Sequence, residues 1–265
     1  MASRLPRYTP DARRYTLMSS YWSAARAPRY SFSFALPLLA LYELWAAAAQ
    51  GAAPVGVRNG ADVLLKSGFH AAAGPRGPIV AGALALAACR WVIARDARGR
   101  AVEPRVFGLM LAESLLFAAS FGLVVGAATA GLLGTLGGGL ATAAALAAPA
   151  APVGRLGLPE QLMLSLGAGL YEELLFRVLL VSLLAWGARR LLRWSPRAAG
   201  AAAVLVSALA FSAFHYVGAY GDPFTIPSFT FRALAGLAFS ALYVTRGFGI
   251  TAWTHALYDV GFFLL

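Results

Sequence analysis

Seven apolar stretches, each close to the length needed to cross a bilayer, leave this chain few architectures. They run over 31–49, 77–94, 106–130, 159–187, 199–218, 228–245 and 248–265. A helix rises about 1.5 Å per residue, so a hydrocarbon core of about 30 Å takes about 20 residues. The second and seventh stretches, at about 18 residues, sit near the lower end of the spanning range. Composition agrees: 60% of the 265 residues are hydrophobic and only 12% are charged, where soluble domains carry about 25%. The expected fold is all-α, a polytopic transmembrane helical bundle of about seven spans. Residues 31–265 form its single domain, behind a basic cytoplasmic segment at 1–30. The Gly-, Ala- and Pro-rich region 131–157 reads as a re-entrant or interfacial helix, or as a loop. Pro159 and Glu160 suit a helix start, since proline fits the first turn and an acid complements the dipole there.

Charge gives an orientation. With the amino terminus inside, the inner segments hold fifteen arginines, and the outer ones hold only Arg58, Lys66, Arg76 and Arg155. That bias predicts a cytoplasmic amino terminus. The net charge of +11 is spread over loops, not gathered on one face, so nucleic acid is not the expected partner. Residues 1–29 are polar and arginine-rich throughout, which does not suit a secretory signal. Lys66 is the one lysine among 22 basic residues, a bias that with the alanine richness points to a high-GC bacterial genome and hence the inner membrane. The single cysteine, Cys89, excludes an internal disulfide and reads as a packing residue.

Against this apolar background the polar residues stand out. The fourth stretch carries Glu172, Glu173 and Arg177. A carboxylate in hydrocarbon costs about 3 kcal/mol on insertion scales, so two in a row call for a reason. Residues four apart share a helix face. Glu173 is therefore set to pair with Arg177, and Glu172, four residues from Phe176, is left for other work. Desolvation of such a carboxyl suits general-base chemistry; a buried Glu–Arg pair that only fixes packing is the plainer reading. The fifth stretch carries His215, and the seventh carries His255 and Asp259, again four apart. The pair at 255 and 259 suits oxyanion stabilisation, metal binding or mutual satisfaction. By helical rise, His215 falls near the outer end of its span and His255 nearer the inner end of its own, so tilted or broken helices are needed to join them.

Glu172-Glu173-x-x-x-Arg177, Phe211-x-x-x-His215 and His255-x-x-x-Asp259 resemble, in order, the three motifs of the CAAX protease and bacteriocin-processing (CPBP) family of intramembrane proteases, related to the type II CAAX prenyl endopeptidase. The resemblance implies that Glu172 activates water with help from His215, that His255 and Asp259 stabilise the oxyanion, and that Glu173 and Arg177 support them. The family often carries asparagine where Asp259 stands. An ionised Asp259 could not donate to an oxyanion; it would have to be protonated, orient His255 or bind a cation. No G-x-S-x-G elbow, catalytic cysteine or H-E-x-x-H helix is present. The expected activity is hydrolysis of a membrane-anchored protein or peptide without a cofactor. A zinc ion on Glu172, His215 and His255 is the alternative site chemistry. A non-catalytic immunity or scaffolding protein and a proton-coupled transporter are the other function classes; the absence of a long internal repeat weighs against the transporter.

Four further readings concern packing. Glu43 and Glu113 either line the same polar cavity or pair with Arg90 or Arg232, and pairing is the expected arrangement. Gly122, Gly126, Ala130, Gly134 and Gly138 form a small-residue ladder suited to close helix contact. His70 reads as solvated, and Tyr30 and Trp194 read as anchors at the membrane interface.

Overall fold

The computed structural model describes residues 21–50, 57–98, 102–134, 156–218 and 221–264. Among them every regular element is helical, and the long helices pack as a polytopic bundle. In chain order these are α1 (Pro28–Gln50), α2 (Gly60–Ala73), α3 (Gly77–Asp96) and α4 (Pro104–Leu132). Next comes α5, which starts as an α-helix over Leu158–Gly167 and widens to π geometry over Ala168–Glu172 and Leu174–Leu180. It returns to α over Val181–Arg190. Helices α6 (Pro196–Phe214), α7 (Ile226–Arg246) and α8 (Phe248–Leu264) complete the order. The region 131–157 and the basic segment 1–30 fall mostly outside the described residues, and the ladder position Gly138 lies wholly outside them.

Five helices, α1, α3, α4, α6 and α7, are long and apolar enough to cross a membrane. Helix α3 makes the solvent plain. Its spanning window is strongly apolar, yet only 6% of that window is buried in the protein. A helix apolar on all sides and left uncovered suits hydrocarbon, not water. This is an integral membrane protein.

Helix α8 owes its hydrophobicity to a different cause. It is 17 residues long and packs against α1, α4, α5 and α7, so its apolar residues face protein. Gly169 on α5 permits the closest of these approaches: a Cβ there would lie 2.4 Å from the Ala252 carbonyl oxygen. The small-residue ladder serves the α4–α8 contact for part of its length. Gly126 and Ala130 are buried, and a Cβ at Gly122 would meet the Tyr258 ring at 3.0 Å. Gly134 lies past the helix end at φ +68° and is exposed.

Several expectations need correction. Helix α2 lies in a segment read only as an outer loop. Its 14 residues are too few to span, and it begins with Asn59 as a side-chain cap over Ala61 and Asp62. Glu43 and Glu113 are paired as expected, but with other partners. Glu43 meets Arg58 at 2.7 Å and Lys66 at 2.8 Å, and Glu113 meets Arg246 at 2.6 Å. Arg232 instead pairs with Asp222. Tyr30 is no interface anchor: it is buried, and its hydroxyl accepts the backbone N–H of Glu103 at 2.8 Å. Trp194 and His70 are exposed.

Candidate active site

The π-helical stretch of α5 brings both glutamates into the bundle. A π turn closes i→i+5 bonds and rotates less per residue than an α turn, so neighbouring side chains diverge less. Glu172 and Glu173 are both buried. Tertiary contacts hold the widened coil in place. Ser207 on α6 donates to the Phe176 carbonyl at 2.7 Å, and Arg177 Nη2 donates to the Gly236 carbonyl on α7 at 3.3 Å.

The two carboxylates have different surroundings. Glu173 is fully buried and committed: Arg177 Nη1 lies 3.2 Å from its Oε1, and His255 Nδ1 lies 2.7 Å from the same atom. The Arg177 guanidinium in turn lies against two rings, 4.3 Å from the Phe211 centroid and 5.4 Å from that of Phe239. Such contacts lower the cost of burying a cation. The expected Glu173–Arg177 pair is therefore present, with His255 as a third member. Because a carboxylate only accepts, His255 must carry its proton on Nδ1 and turn Nε2 away from Glu173. Nε2 then faces Asp259, 3.6 Å from its Oδ2, beyond direct hydrogen-bond range.

Glu172 has no arginine. Its Oε1 accepts a hydrogen bond of 2.9 Å from the side-chain amide of Asn59, which crosses from the start of α2. Its Oε2 faces His215 Nε2 at 4.0 Å. Helix α6 ends at Phe214, and His215 caps it. Its Nδ1 lies 2.8 Å from the Phe211 carbonyl, which also only accepts. Nδ1 is therefore the donor, and in the neutral ring Nε2 is a bare acceptor. Two acceptors, Glu172 Oε2 and His215 Nε2, thus point towards one space.

The two histidines that helical rise set at different depths meet across one ring. Phe211 lies 4.8 Å from His215 and 6.0 Å from His255, centroid to centroid, while Phe239 stacks on His255 at 4.4 Å. Glu172, His215, His255 and Asp259 all line a cavity of about 630 Å³ whose other walls include Leu64, Phe121, Phe231, Phe262 and Phe263. Volume and lining are those of a ligand pocket: mostly apolar, with a few converging polar groups.

Asn59, Asp222 and Arg232 also line the cavity, and their place there is not legible in the sequence. Asn59 arrives at the start of α2, and a glycine on α5 makes room for it: a Cβ on Gly167 would lie 2.8 Å from the Asn59 Cβ and 2.5 Å from Tyr42. The available signal was an asparagine three residues ahead of an acid, Asp62, which is the pattern of a capped helix start.

Among the described residues no group of three or more His, Cys, Asp or Glu side chains is arranged to hold a metal ion. Both histidines have Nδ1 directed at protein acceptors, which leaves Nε2 of each turned towards the cavity carboxylates.

No curated protein and no solved structure matches the chain. Residues 155–261 match the family model described as type II CAAX prenyl endopeptidase Rce1-like. That range takes in Glu172, Glu173, Arg177, His215, His255 and Asp259 and leaves out Asn59. The motif order and the matched range agree: over residues 155–261 the chain is similar to the Rce1-like type II CAAX prenyl endopeptidase (CPBP) family.

Proposed function

We propose that this protein is an intramembrane endopeptidase that cleaves a membrane-anchored protein or peptide with a water activated by Glu172. The observation that carries this reading is the pair of acceptors facing one space, Glu172 Oε2 and His215 Nε2, 4.0 Å apart. A water between them donates one hydrogen to each and turns a lone pair towards the cavity. Its oxygen adds to the scissile carbonyl carbon as Glu172 takes the proton. The oxyanion is met by His255, which in this step carries a proton on each ring nitrogen, Nδ1–H towards Glu173 and Nε2–H towards the oxyanion. Collapse breaks the C–N bond, and Glu172 returns the proton to the leaving nitrogen. Asp259 acts beside His255, either as a protonated donor or by orienting the ring.

In this reading all seven apolar stretches cross the membrane, including α5 and α8. The protein lies in a bacterial inner membrane with its amino terminus cytoplasmic, supported by the arginine bias of the inner segments. The substrate enters from the bilayer, and its cut bond lies near its own membrane segment. A bacterial host makes a C-terminal sorting signal, a peptide precursor or an anti-sigma-like protein a better candidate substrate than a prenylated tail.

The test compares membrane-protein termini in cells carrying wild type or Glu172→Gln at matched expression. New termini confined to wild type support proteolysis and name the substrates. Identical termini, with both proteins folded and inserted, would move the assignment to a non-catalytic binding protein.

A further inference from the structure

A residue outside the Rce1-like segment holds the carboxylate on which the proposed chemistry depends. Asn59 is 6% exposed, and each of its polar groups has an assigned partner. Its Oδ1 accepts the backbone N–H groups of Ala61 at 2.9 Å and Asp62 at 3.4 Å, capping α2. Its own backbone N–H donates to the Tyr42 hydroxyl at 3.0 Å, and that hydroxyl donates to Asp62 Oδ2 at 2.9 Å. Only the side-chain NH₂ remains, and it meets Glu172 Oε1 at 2.9 Å.

The cap settles which way the amide faces. Rotating it by half a turn would set NH₂ against two backbone donors and its oxygen against a carboxylate, so both ends would repel. The donor towards Glu172 is therefore built in by the fold of α2. The surrounding ion pairs stiffen this mount. Arg58 lies 2.6 Å from Asp62 and Lys66 lies 2.6 Å from its other oxygen. Glu43, which pairs with both cations, also accepts the hydroxyl of Tyr171, the residue just before Glu172.

We propose that Asn59 is the positioning residue of this site: by occupying Oε1 of Glu172, it leaves Oε2 directed at His215 and the cavity. One carboxylate oxygen is held, and the other is given a single direction in which to work. The proposal rests on the endopeptidase reading for its functional consequence, but the contact itself is open to independent measurement.

Two substitutions separate holding from capping. Asn59→Asp keeps a good cap and nearly the same shape but turns an anionic oxygen, in place of a donor, towards Glu172. Asn59→Ser keeps a cap but is too short to reach the carboxylate. Each is purified as the full chain in detergent beside wild type and Glu172→Gln. The infrared carboxylate stretch lost in Glu172→Gln identifies Glu172. That band is expected to shift in both variants. On a substrate found by terminus comparison, kcat is expected to fall about tenfold to a hundredfold, with KM within about threefold of wild type. A band unmoved in both variants overturns the proposal, as does wild-type kcat in either. If wild type cleaves nothing, the endopeptidase reading fails separately and the band alone decides whether Asn59 holds Glu172. If Asn59→Asp does not fold, Asn59→Ser carries the same comparison.

Discussion

Glu43, Arg58, Asp62 and Lys66 gather two acids and two bases where α2 begins, and each carboxylate there faces both cations. At the candidate site, Glu172, Glu173 and Asp259 have one arginine in ion-pair contact, Arg177, which lies against Glu173 alone among them, while Arg232, also in the cavity wall, is paired with Asp222. The first cluster balances its own charge and grips backbone caps and tyrosine hydroxyls. The second leaves Glu172 with one oxygen on an amide and the other 4.0 Å from a histidine. Closely matched charge makes a mount, whereas a carboxylate without its own cation keeps an oxygen for chemistry. Proximity of opposite charges therefore does not by itself mark an active site in a membrane bundle; the acceptor left over does.

The sharpest way to break this contrast is within the adjacent pair. Glu172→Gln should abolish cleavage, a loss of about 10²–10⁴-fold, while the thermal unfolding midpoint in detergent stays where it was. Equal cleavage by that variant would remove Glu172 from the mechanism. Glu173→Gln should act through stability. It leaves Arg177 buried without its anion, which costs about 3–5 kcal/mol and should appear as early unfolding in a thermal or denaturant scan. A Glu173→Gln protein as stable as wild type would show that Arg177 is satisfied by its aromatic and carbonyl neighbours. Gly169→Ala probes the α5–α8 contact on which the placement of His255 depends. Its methyl would meet the Ala252 carbonyl at 2.4 Å, so a cost of about 1–3 kcal/mol is expected, together with reduced cleavage at temperatures where the protein remains folded. At the mount, Lys66→Met removes a cation about a third exposed while Arg58 stays on both acids. Its effect on unfolding should stay within about 1 kcal/mol, with cleavage unchanged.

Much of the site is legible in the sequence because hydrocarbon makes polar residues conspicuous. Glu172, His215, His255 and Asp259 are the exceptions in runs of Leu, Ala and Phe, and all four line one cavity. The Glu173–Arg177 pair follows from a spacing of four, although the backbone there is π and not α. Asn59 is not conspicuous. It sits in a polar stretch between two spans, and α2 behind it is too short to register as a span. The partners of Glu43 and Glu113 were misjudged for a related reason. Periodicity gives the face a side chain occupies but not which distant helix supplies the charge opposite. Helix α8 reads as a span on composition alone, and its sequence does not separate lipid from the interior of a bundle, since both reward the same residues.

The widened coil of α5 also has a consequence for how this helix tolerates change. Its first section packs on α1 and α8, and its last section packs on α6. The two are therefore keyed to different neighbours across a stretch with slack in its winding. Removing one residue between Ala168 and Leu180 would let a widened turn tighten to ordinary pitch, the loss being absorbed there with both flanks still facing their own neighbours, whereas the same deletion in the α-wound section Leu158–Gly167 would turn the residues before it out of phase. A lesion of the latter kind acts as a frameshift in three dimensions, with every side chain chemically intact and the two ends of the helix reading different registers.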